Sequence, residues 1–206
     1  MRFRLTVFLI LWGNFLIAST ATSADPGQGV KQRYGYGEMY AAFQLGYGSG
    51  FTIGNSGRGD ANDVTYLSTL PSFGIGISDP MAVDSWYGGN FDFVTEGEFM
   101  TFLGPGEGHT TGLAIKLRYN FLSLEKFVPF AEIGVGAGYI SSNLTTQADG
   151  VAFYPQGGVG LNYFVSDNLA LSLSYRYHHI SNKGFEKPNT GINANLGLIG
   201  VEYHFD

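Results

Sequence analysis

Nine consecutive residues near the middle of the chain alternate between large apolar side chains and small or polar ones: Leu113-Ala114-Ile115-Lys116-Leu117-Arg118-Tyr119-Asn120-Phe121. Because successive side chains of a β-strand point to opposite faces, this stretch predicts a strand with one apolar and one polar face. The alternation recurs, again with apolar residues at odd positions, in 131–139, 159–165, 169–177 and 201–205. Apolar residues at even positions interrupt it at Phe130, Ile140, Phe164 and Leu198.

Turn signals divide the chain into eight predicted strands, at 36–47, 64–78, 86–102, 110–122, 128–142, 151–165, 169–181 and 191–205. An even number of antiparallel strands lets a membrane-spanning sheet close without an open edge. The sequence therefore predicts an all-β fold, an eight-stranded antiparallel transmembrane β-barrel with short periplasmic turns and longer extracellular loops. Both termini of such a barrel are expected on the periplasmic side, so the connections after strands one, three, five and seven face outward.

The apolar face of this sheet is expected to meet lipid, because a Lys or Arg at the bilayer midplane costs about 2–4 kcal/mol. The opposite face then points inward and carries charges of both signs, which are expected to pair: Asp92, Glu96, Glu98, Lys116, Arg118, Glu132, Arg176 and Glu202. The alternative is a soluble β-sandwich or lipocalin-like barrel, which would bury the apolar face and expose the charges. Tyrosines near strand ends and the ending Tyr203-x-Phe205 favour the membrane form.

The N-terminus has the features of an export signal. Arg2 and Arg4 precede an apolar stretch at 5–18, and small residues end at Ala24. The apolar stretch is short for a membrane-anchoring helix, so we expect a cleaved signal peptide at 1–24 and one barrel domain at 25–206. The chain carries a net charge of −6 and no cysteine. An acidic chain argues against nucleic acid as a partner.

The last hairpin carries a candidate for chemistry. His179 and Ser181 are two residues apart, so their side chains leave the strand on the same, lipid-facing side. A base beside a hydroxyl is the minimum arrangement for an activated serine nucleophile. A turn centred near Glu186 would place Ser181 opposite Gly191 and His179 opposite Asn193, close enough for Asn193 to reach the histidine ring.

This hairpin resembles that of the lipid A 3-O-deacylases through His179-x-Ser181-Asn182-x-Gly184 followed by Pro188-Asn189-x-Gly191-Ile192. Close similarity covers about 15 residues, and the motif with this spacing is moderately specific. The resemblance implies a barrel in the outer membrane of a Gram-negative bacterium, with a Ser-His-Glu triad on its lipid-facing surface. It implies lipid A of lipopolysaccharide as substrate, outer-membrane lipids as surroundings, and neither metal nor cofactor.

The same resemblance implies roles for individual residues. Ser181 would attack an acyl ester on the glucosamine of lipid A, at the 3-O position. His179 would take the serine proton and return it to the departing sugar hydroxyl. Backbone amides near Asn182 and Gly184, together with the Asn189 amide, would stabilise the oxyanion.

The chain departs from the family pattern at Asn193, which occupies the position of the catalytic acid. An amide oxygen can orient a histidine but cannot neutralise the imidazolium. Three hypotheses stay open: an active esterase with Asn193 as orienting group, a slow or altered esterase, and a non-catalytic barrel that stabilises the membrane, adheres or admits small apolar solutes. Glu186 is an alternative acid, and His178 is expected inside the barrel. Which ester is cut, and whether two barrels pair as a homodimer, also stay open.

Overall fold

The computed structural model describes residues 26–53 and 59–206. These residues form a short helix, α1 (Pro26–Lys31), a 3₁₀ turn (Asp60–Asn62) and eight strands. The strands are β1 (Met39–Gly50), β2 (Thr65–Gly76), β3 (Gly89–Gly104), β4 (Gly108–Phe121), β5 (Phe127–Ser142), β6 (Gly150–Phe164), β7 (Leu169–Ile180) and β8 (Ile192–His204). The predicted signal peptide, residues 1–24, lies outside the described residues. Within them, no helix is long and apolar enough to span a membrane.

Each strand is hydrogen-bonded antiparallel to its neighbours in the chain, and β8 returns to pair with β1. Along this seam Tyr40 pairs with His204 at one end and Gly50 with Ala194 at the other. The sheet is therefore a closed barrel that leaves no row of unpaired backbone groups facing lipid. The predicted fold class is confirmed.

Side chains at odd positions point outward in all eight strands, as the alternation predicts. Leu113 and Ile133 are 73% and 68% exposed, whereas Lys116, Arg118 and Arg176 are at most 2% exposed. A soluble β-sandwich or lipocalin-like barrel would show the reverse arrangement. The outer face is the one that meets lipid, and the soluble alternative is overturned.

The predicted pairing is confirmed for six of the eight interior charges. Asp92 is bonded instead to two asparagine amides, and Glu98 to the Gln156 amide. Glu132 lies 3.2 Å from Lys116, 3.0 Å from Arg118 and 2.9 Å from Arg176. Glu96 lies 2.6 Å from both Lys116 and Arg176. Because these side chains are buried, their mutual attraction is weakly screened and compensates the cost of removing them from water.

The exceptions to the alternation fill the interior above and below this charged layer. Phe130 packs against the Arg118 guanidinium, which lies 4.2 Å from the ring centre. Ile140 belongs to an apolar cluster near one end of the barrel, and Phe164 to a second cluster at the end that carries the termini. Charged and apolar side chains together fill the lumen, as expected for an eight-stranded barrel.

The helix α1 was not predicted, and it closes the barrel end that carries the termini. Val30 is 1% exposed and belongs to the second apolar cluster, at the end that carries the termini. The Tyr34 ring contacts the rings of Phe164 and His204. The chain then turns at Gly37, with a φ of 86°, before β1 begins. This is why β1 starts and ends three residues later than the predicted 36–47.

At the other end, here called the rim, lie the described parts of the β1–β2 connection, 51–53 and 59–64, and the connections 105–107, 143–149 and 181–191. Three of these are long, as predicted for the outward side, but the β3–β4 connection has only three residues. At the opposite end the connections 122–126 and 165–168 are short, whereas 77–88 is longer than a simple turn. The connection 181–191 joins β7 to β8 and contains the candidate site.

Candidate active site

The β7–β8 hairpin has the predicted register at the histidine. His179 pairs directly with Asn193, and the ladder ends one step closer to the rim with Ile180 and Ile192. The His179 Nδ1 atom lies 2.7 Å from Asn193 Oδ1. Both side chains are half-buried on the outer face. The predicted contact between this histidine and this asparagine is present.

The contact decides where the imidazole carries its proton. An amide oxygen only accepts hydrogen bonds, so the contact requires the proton on Nδ1 and leaves Nε2 with a free lone pair. The Tyr177 hydroxyl donates to the same Asn193 Oδ1 at 2.7 Å. Tyr177 and His179 therefore share one acceptor, the Asn193 side-chain oxygen. Sequence reasoning missed this tyrosine, although its position on the same face as His179 was a usable signal.

Gly191 makes room for the imidazole. A Cβ atom at this position would lie 3.0 Å from His179 Cε1 and 3.5 Å from His179 Nε2. Its φ of 75° is also in the left-handed region that favours glycine. The free edge of the ring therefore lies over Gly191, on the rim side of Asn193. The register places Ser181 opposite this glycine, one step beyond the last paired residues.

The backbone of Ser181 is anchored to β6. Ser181 exchanges two hydrogen bonds with Phe153, at 2.8 and 3.1 Å. The regular β6–β7 pairing stops at Gln156 and His178, and Pro155 lies in the interval between that pair and the Phe153 bridge. Proline has no N–H to donate, so the interruption follows from the sequence. Ser181 lies just beyond this interrupted part of the β6–β7 ladder, and its two hydrogen bonds to Phe153 fix its backbone.

The Ser181 hydroxyl makes its contacts within the loop. Its Oγ atom lies 3.3 Å from both Oδ1 and Nδ2 of Asn189, and it accepts a hydrogen bond from the Lys183 N–H at 3.2 Å. Among the described residues, no hydrogen bond joins this hydroxyl to His179. The two side chains share a face and an end of the barrel, with the serine turned toward Asn189.

The predicted oxyanion groups have different positions. Asn182 is fully buried, and its Oδ1 accepts from the Gly184 N–H at 2.8 Å while its Nδ2 donates to the Glu186 carbonyl at 2.9 Å. The Asn182 N–H donates to Asn189 Oδ1 at 3.2 Å. The backbone amides of Asn182 and Gly184 are thus already engaged in shaping the loop. The donors that point at the Ser181 oxygen are Asn189 Nδ2 and the Lys183 N–H, the latter not predicted.

The neighbouring β5–β6 connection braces the site loop. The Gln147 side chain accepts from the Gly191 N–H at 3.0 Å, and the Thr146 carbonyl accepts from the Thr190 N–H at 2.9 Å. Asp60 in turn accepts hydrogen bonds from the Thr146 hydroxyl and N–H. Burial alone would raise the pKa of Asp60, but these bonds and those of Thr145 outweigh it and lower the pKa to about 2.

Two other side chains that the sequence singled out lie away from the reacting atoms. His178 points into the barrel, where its Nδ1 lies 3.4 Å from the Tyr66 hydroxyl and its Nε2 lies 3.7 Å from Glu98. Its predicted interior position is confirmed. The Glu186 side chain is exposed and lies near Gly150 at the start of β6. The β8 side of the imidazole is already occupied by Asn193, so Glu186 is not positioned as the alternative acid.

Comparison with solved structures supports the barrel. The crystal structure of Neisserial surface protein A (NspA) is 16% identical, with a TM-score of 0.56, and covers 81% of this chain and 97% of that protein. The crystal structure of the outer membrane enzyme PagL is 18% identical, with a TM-score of 0.56, and covers 77% and 97%. The outer membrane protein OprG from Pseudomonas aeruginosa is 12% identical, with a TM-score of 0.50, and covers 84% and 97%. These similarities show the fold and, together with the family below, the Gram-negative outer membrane as its location.

No curated protein sequence matches the chain. The family model described as lipid A 3-O-deacylase (PagL) matches residues 71–202, well over half of the chain, and includes β7, the connection 181–191 and β8 as far as Glu202. The closed eight-stranded barrel and the family match agree, and the chain belongs to the lipid A 3-O-deacylase (PagL) family.

Proposed function

We propose that this protein is an outer-membrane esterase that removes the acyl chain ester-linked at the 3-O position of lipid A. The observation that carries the proposal is the His179 imidazole, whose Nδ1 is bonded to Asn193 at 2.7 Å. The ring edge that carries Nε2 packs against Gly191, the residue that the hairpin register, continued one step past its last pair, would set across from Ser181. A histidine bonded in this way beside a serine at a lipid-facing rim is hard to explain by packing alone. Family membership supplies the substrate class.

In the proposed reaction, Ser181 turns from Asn189 toward His179, a rotation about one side-chain bond. Catalytic hydrogen bonds often tighten in this way only when substrate is present. His179 Nε2 takes the hydroxyl proton as Ser181 Oγ attacks the ester carbonyl carbon. The tetrahedral intermediate collapses, and the protonated His179 gives its proton to the departing sugar oxygen. Water, activated by the same nitrogen, then hydrolyses the acyl-serine and releases a fatty acid.

The charge that develops on the carbonyl oxygen requires donors close to Ser181. Asn189 Nδ2 and the Lys183 N–H lie 3.3 and 3.2 Å from Ser181 Oγ in the rotamer that faces Asn189. When Oγ turns toward His179, both donors lose that partner and would become available to the carbonyl oxygen. Donors held in place before the reaction act without reorganisation, and each is worth about 10²–10³ in kcat. Asn182 and Gly184 would contribute by keeping the loop in the shape that aims these two donors.

Asn193 would orient His179 without neutralising its charge. Replacing the acid of a serine protease triad by an amide lowers kcat by about 10⁴, in part because the wrong tautomer is favoured. Here the Tyr177 hydroxyl donates to the same Asn193 oxygen that His179 Nδ1 contacts, and this arrangement goes with the productive tautomer. We therefore expect measurable but slow hydrolysis.

Substrate would reach the site sideways from the membrane. The site lies at the rim on the lipid-facing surface, while the described interior is filled by paired charges and apolar clusters. Lipid A in the outer leaflet would diffuse laterally until an ester near the interface meets Ser181. A filled lumen also gives little support to a barrel that conducts solutes along its axis.

The test is mass spectrometry of lipid A after incubation with purified protein in mixed micelles. Wild type should release a fatty acid and leave lipid A lighter by one ester-linked acyl chain. The Ser181→Ala variant should not, and Ser123→Ala, a serine at the opposite end of the barrel, serves as its control. Unchanged lipid A at high protein concentration, or equal activity in Ser181→Ala, would leave the non-catalytic barrel as the better description.

A further inference from the structure

The connection 77–88, at the end of the barrel that carries the termini, presents apolar side chains to its surroundings. Val83 and Trp86 are 56% and 79% exposed, and Met81 and Tyr87 are exposed as well. Leaving such a surface in water is unfavourable, so an exposed group of apolar side chains marks a contact with a partner or a membrane. These four side chains are here called the Trp86 patch.

Two hydrogen bonds fix the patch to the wall of the barrel. The Tyr119 side chain leaves β4 on the lipid-facing side, and its hydroxyl donates to the Tyr87 carbonyl at 2.6 Å. The Ser123 hydroxyl, in the next connection, donates to the Trp86 carbonyl at 3.0 Å. The Trp86 patch therefore continues the lipid-facing surface of β4 and does not extend freely away from the barrel.

Aromatic rings dominate this part of the surface. The rings of Phe91 and Phe121 lie 4.8 and 5.0 Å from the Tyr119 ring, and the rings of Trp86 and Tyr87 lie 5.5 Å apart. Tryptophan and tyrosine favour the membrane–water interface, where the ring meets hydrocarbon while its N–H or O–H meets headgroups and water. The composition of the patch and its surroundings is therefore that of an interfacial surface.

The height of the apolar surface on β4 puts the patch at a membrane boundary. On the outer face of this strand, Thr111 is followed by an uninterrupted run of aliphatic and aromatic side chains from Leu113 to Phe121. At about 3.3 Å per residue, Phe121 lies roughly 33 Å along the strand from Thr111. A tilt of about 40° reduces this to about 25 Å of depth, the height of the apolar band of an outer-membrane barrel. With Thr111 at the outer boundary, Phe121 and the adjoining Trp86 patch lie at the inner one.

The charge of the connection indicates what kind of lipid contact it can make. Residues 77–88 include Asp79 and Asp84 but neither lysine nor arginine. Segments that bind membranes through anionic headgroups carry clusters of basic residues, and this one does not. Attraction to lipid must come from burial of the rings and of the Met81 and Val83 side chains, so zwitterionic phospholipid is sufficient.

We propose that the Trp86 patch docks on the phospholipids of the periplasmic leaflet, with its side chains at the boundary between headgroups and acyl chains. A connection that topology assigns to the periplasm thus acts as a membrane anchor and fixes the depth of the barrel from the side opposite the rim. The occupant is lipid rather than a second copy or another protein, because the patch is continuous with a wall that already meets lipid. The proposal does not depend on the esterase function.

The patch contains its own fluorescent probe. The chain has two tryptophans, Trp12 and Trp86, so Trp12→Phe leaves one, whether or not the N-terminus is cleaved. The variant is folded into phosphatidylcholine vesicles whose acyl chains carry bromine, which quenches tryptophan, either near the glycerol or near the methyl end. Bromine near the glycerol should quench Trp86 more strongly. Iodide in the water should quench it less than in the urea-unfolded protein.

A matched reference moves the tryptophan into the barrel wall. The variant with Trp12→Phe, Trp86→Phe and Leu117→Trp places it on the outer face of β4, about 10 Å deeper than Phe121. This tryptophan should show the opposite order, with stronger quenching by bromine near the methyl end. In addition, Trp86→Ser should lower the folding equilibrium constant in vesicles about tenfold, the scale set by transferring one large side chain out of water. Trp86→Tyr should retain most of the wild-type value.

Each contrary outcome overturns the anchor. Strong quenching of Trp86 by iodide with no response to either bromine position would place the patch in water. Protection from both quenchers would mean that protein covers it, such as a second copy of the chain. An unchanged folding equilibrium in Trp86→Ser would mean that the side chain gains nothing from lipid. Shifted migration on heating in a gel distinguishes a folded barrel from an unfolded one in every variant.

Discussion

The interior of the barrel and its rim both hold polar groups together, but they do so in different ways. Inside, Glu132 is bonded to three cations, and the groups are ionised, buried and mutually compensated. At the rim, Tyr177, Asn193 and His179 form a hydrogen-bonded chain without a carboxylate, and its last atom, His179 Nε2, has no hydrogen-bond partner among the described residues. The interior network holds the barrel together, whereas the rim chain leaves one group available for reaction.

This difference indicates where function resides in this small barrel. A buried charge that loses its partner is expensive, so interior charges are paired whatever the protein does. A half-buried histidine at the rim does not have to be paired in this way. The contacts that orient it therefore give information about function.

The largest effect is expected from placing a carboxylate beside His179 at the rim, as Glu132 is placed beside the cations of the interior. Asn193→Glu should raise kcat by up to about 10⁴-fold, because a carboxylate both orients His179 and stabilises its protonated form. Release of fatty acid from lipid A is the measurement. Asn195→Glu is the matched control, since Asn195 lies two residues away on the same face and bonds to Tyr175 instead. An unchanged rate in a folded Asn193→Glu protein would remove His179 from the reaction.

The opposite experiment removes charge from the interior. Glu132→Gln should destabilise the barrel by about 3–5 kcal/mol, because Lys116, Arg118 and Arg176 lose a shared counter-charge in a buried site. Unfolding in urea from lipid vesicles measures this effect. Glu107→Gln, in the exposed β3–β4 connection, should leave stability unchanged. A loss below about 1 kcal/mol in Glu132→Gln would mean that the interior pairs do not hold the barrel together.

A smaller effect is expected at Tyr177. Tyr177→Phe removes one hydrogen bond, worth about 0.5–1.5 kcal/mol, and should lower kcat on a short-chain ester about tenfold at nearly constant KM. Nitrogen NMR of His179 should show the proton partly shifted from Nδ1 to Nε2, a change that a purely structural role would not produce. Tyr175→Phe, which loses the bond to Asn195, should keep the wild-type rate and tautomer. An unshifted tautomer in Tyr177→Phe would contradict the orienting role.

The smallest effect is expected when the pH is lowered and Asp60, whose carboxylate joins two rim connections, becomes protonated. The pKa of Asp60 is about 2 in the fold, below the ordinary value of about 3.9, so its stabilising effect is complete above about pH 4 and is lost as the pH falls through about 2. Its side chain is partly exposed, so we expect less than about 1 kcal/mol. The protection of the Thr145 and Thr146 amides against hydrogen exchange, measured relative to the intrinsic rate at each pH, should fall over this range in wild type. In Asp60→Asn this protection should already be reduced at pH 5, and wild-type protection there would refute the brace.

Local patterns predicted a large part of this structure. Period-two alternation depends only on extended backbone, so it assigned outward and inward faces correctly in strands such as β4 and β7. The pairing of His179 with Asn193 followed from placing the turn near Glu186, and it is confirmed. The catalytic roles of Ser181, His179 and Asn193 stay predictions until the rates are measured.

Contacts between distant segments were not predictable in this way. The Asp60 carboxylate and Thr146 are 86 residues apart, and no periodic signal connects them. The same holds for α1, whose Val30 packs beneath the barrel against residues more than 90 positions away. Their loop and turn residues carry no amphipathic pattern, so only the assembled barrel brings them together.

The sequence by itself determined the strand count, the lipid-facing side of each strand, the buried charges, and the common face of His179 and Ser181. These follow from backbone geometry and from the cost of charge in hydrocarbon, which act on each strand separately. The tertiary structure decided which imidazole nitrogen is bonded to Asn193 and what holds the Ser181 backbone. Both depend on the register of β7 against β6 and β8, which no single strand encodes.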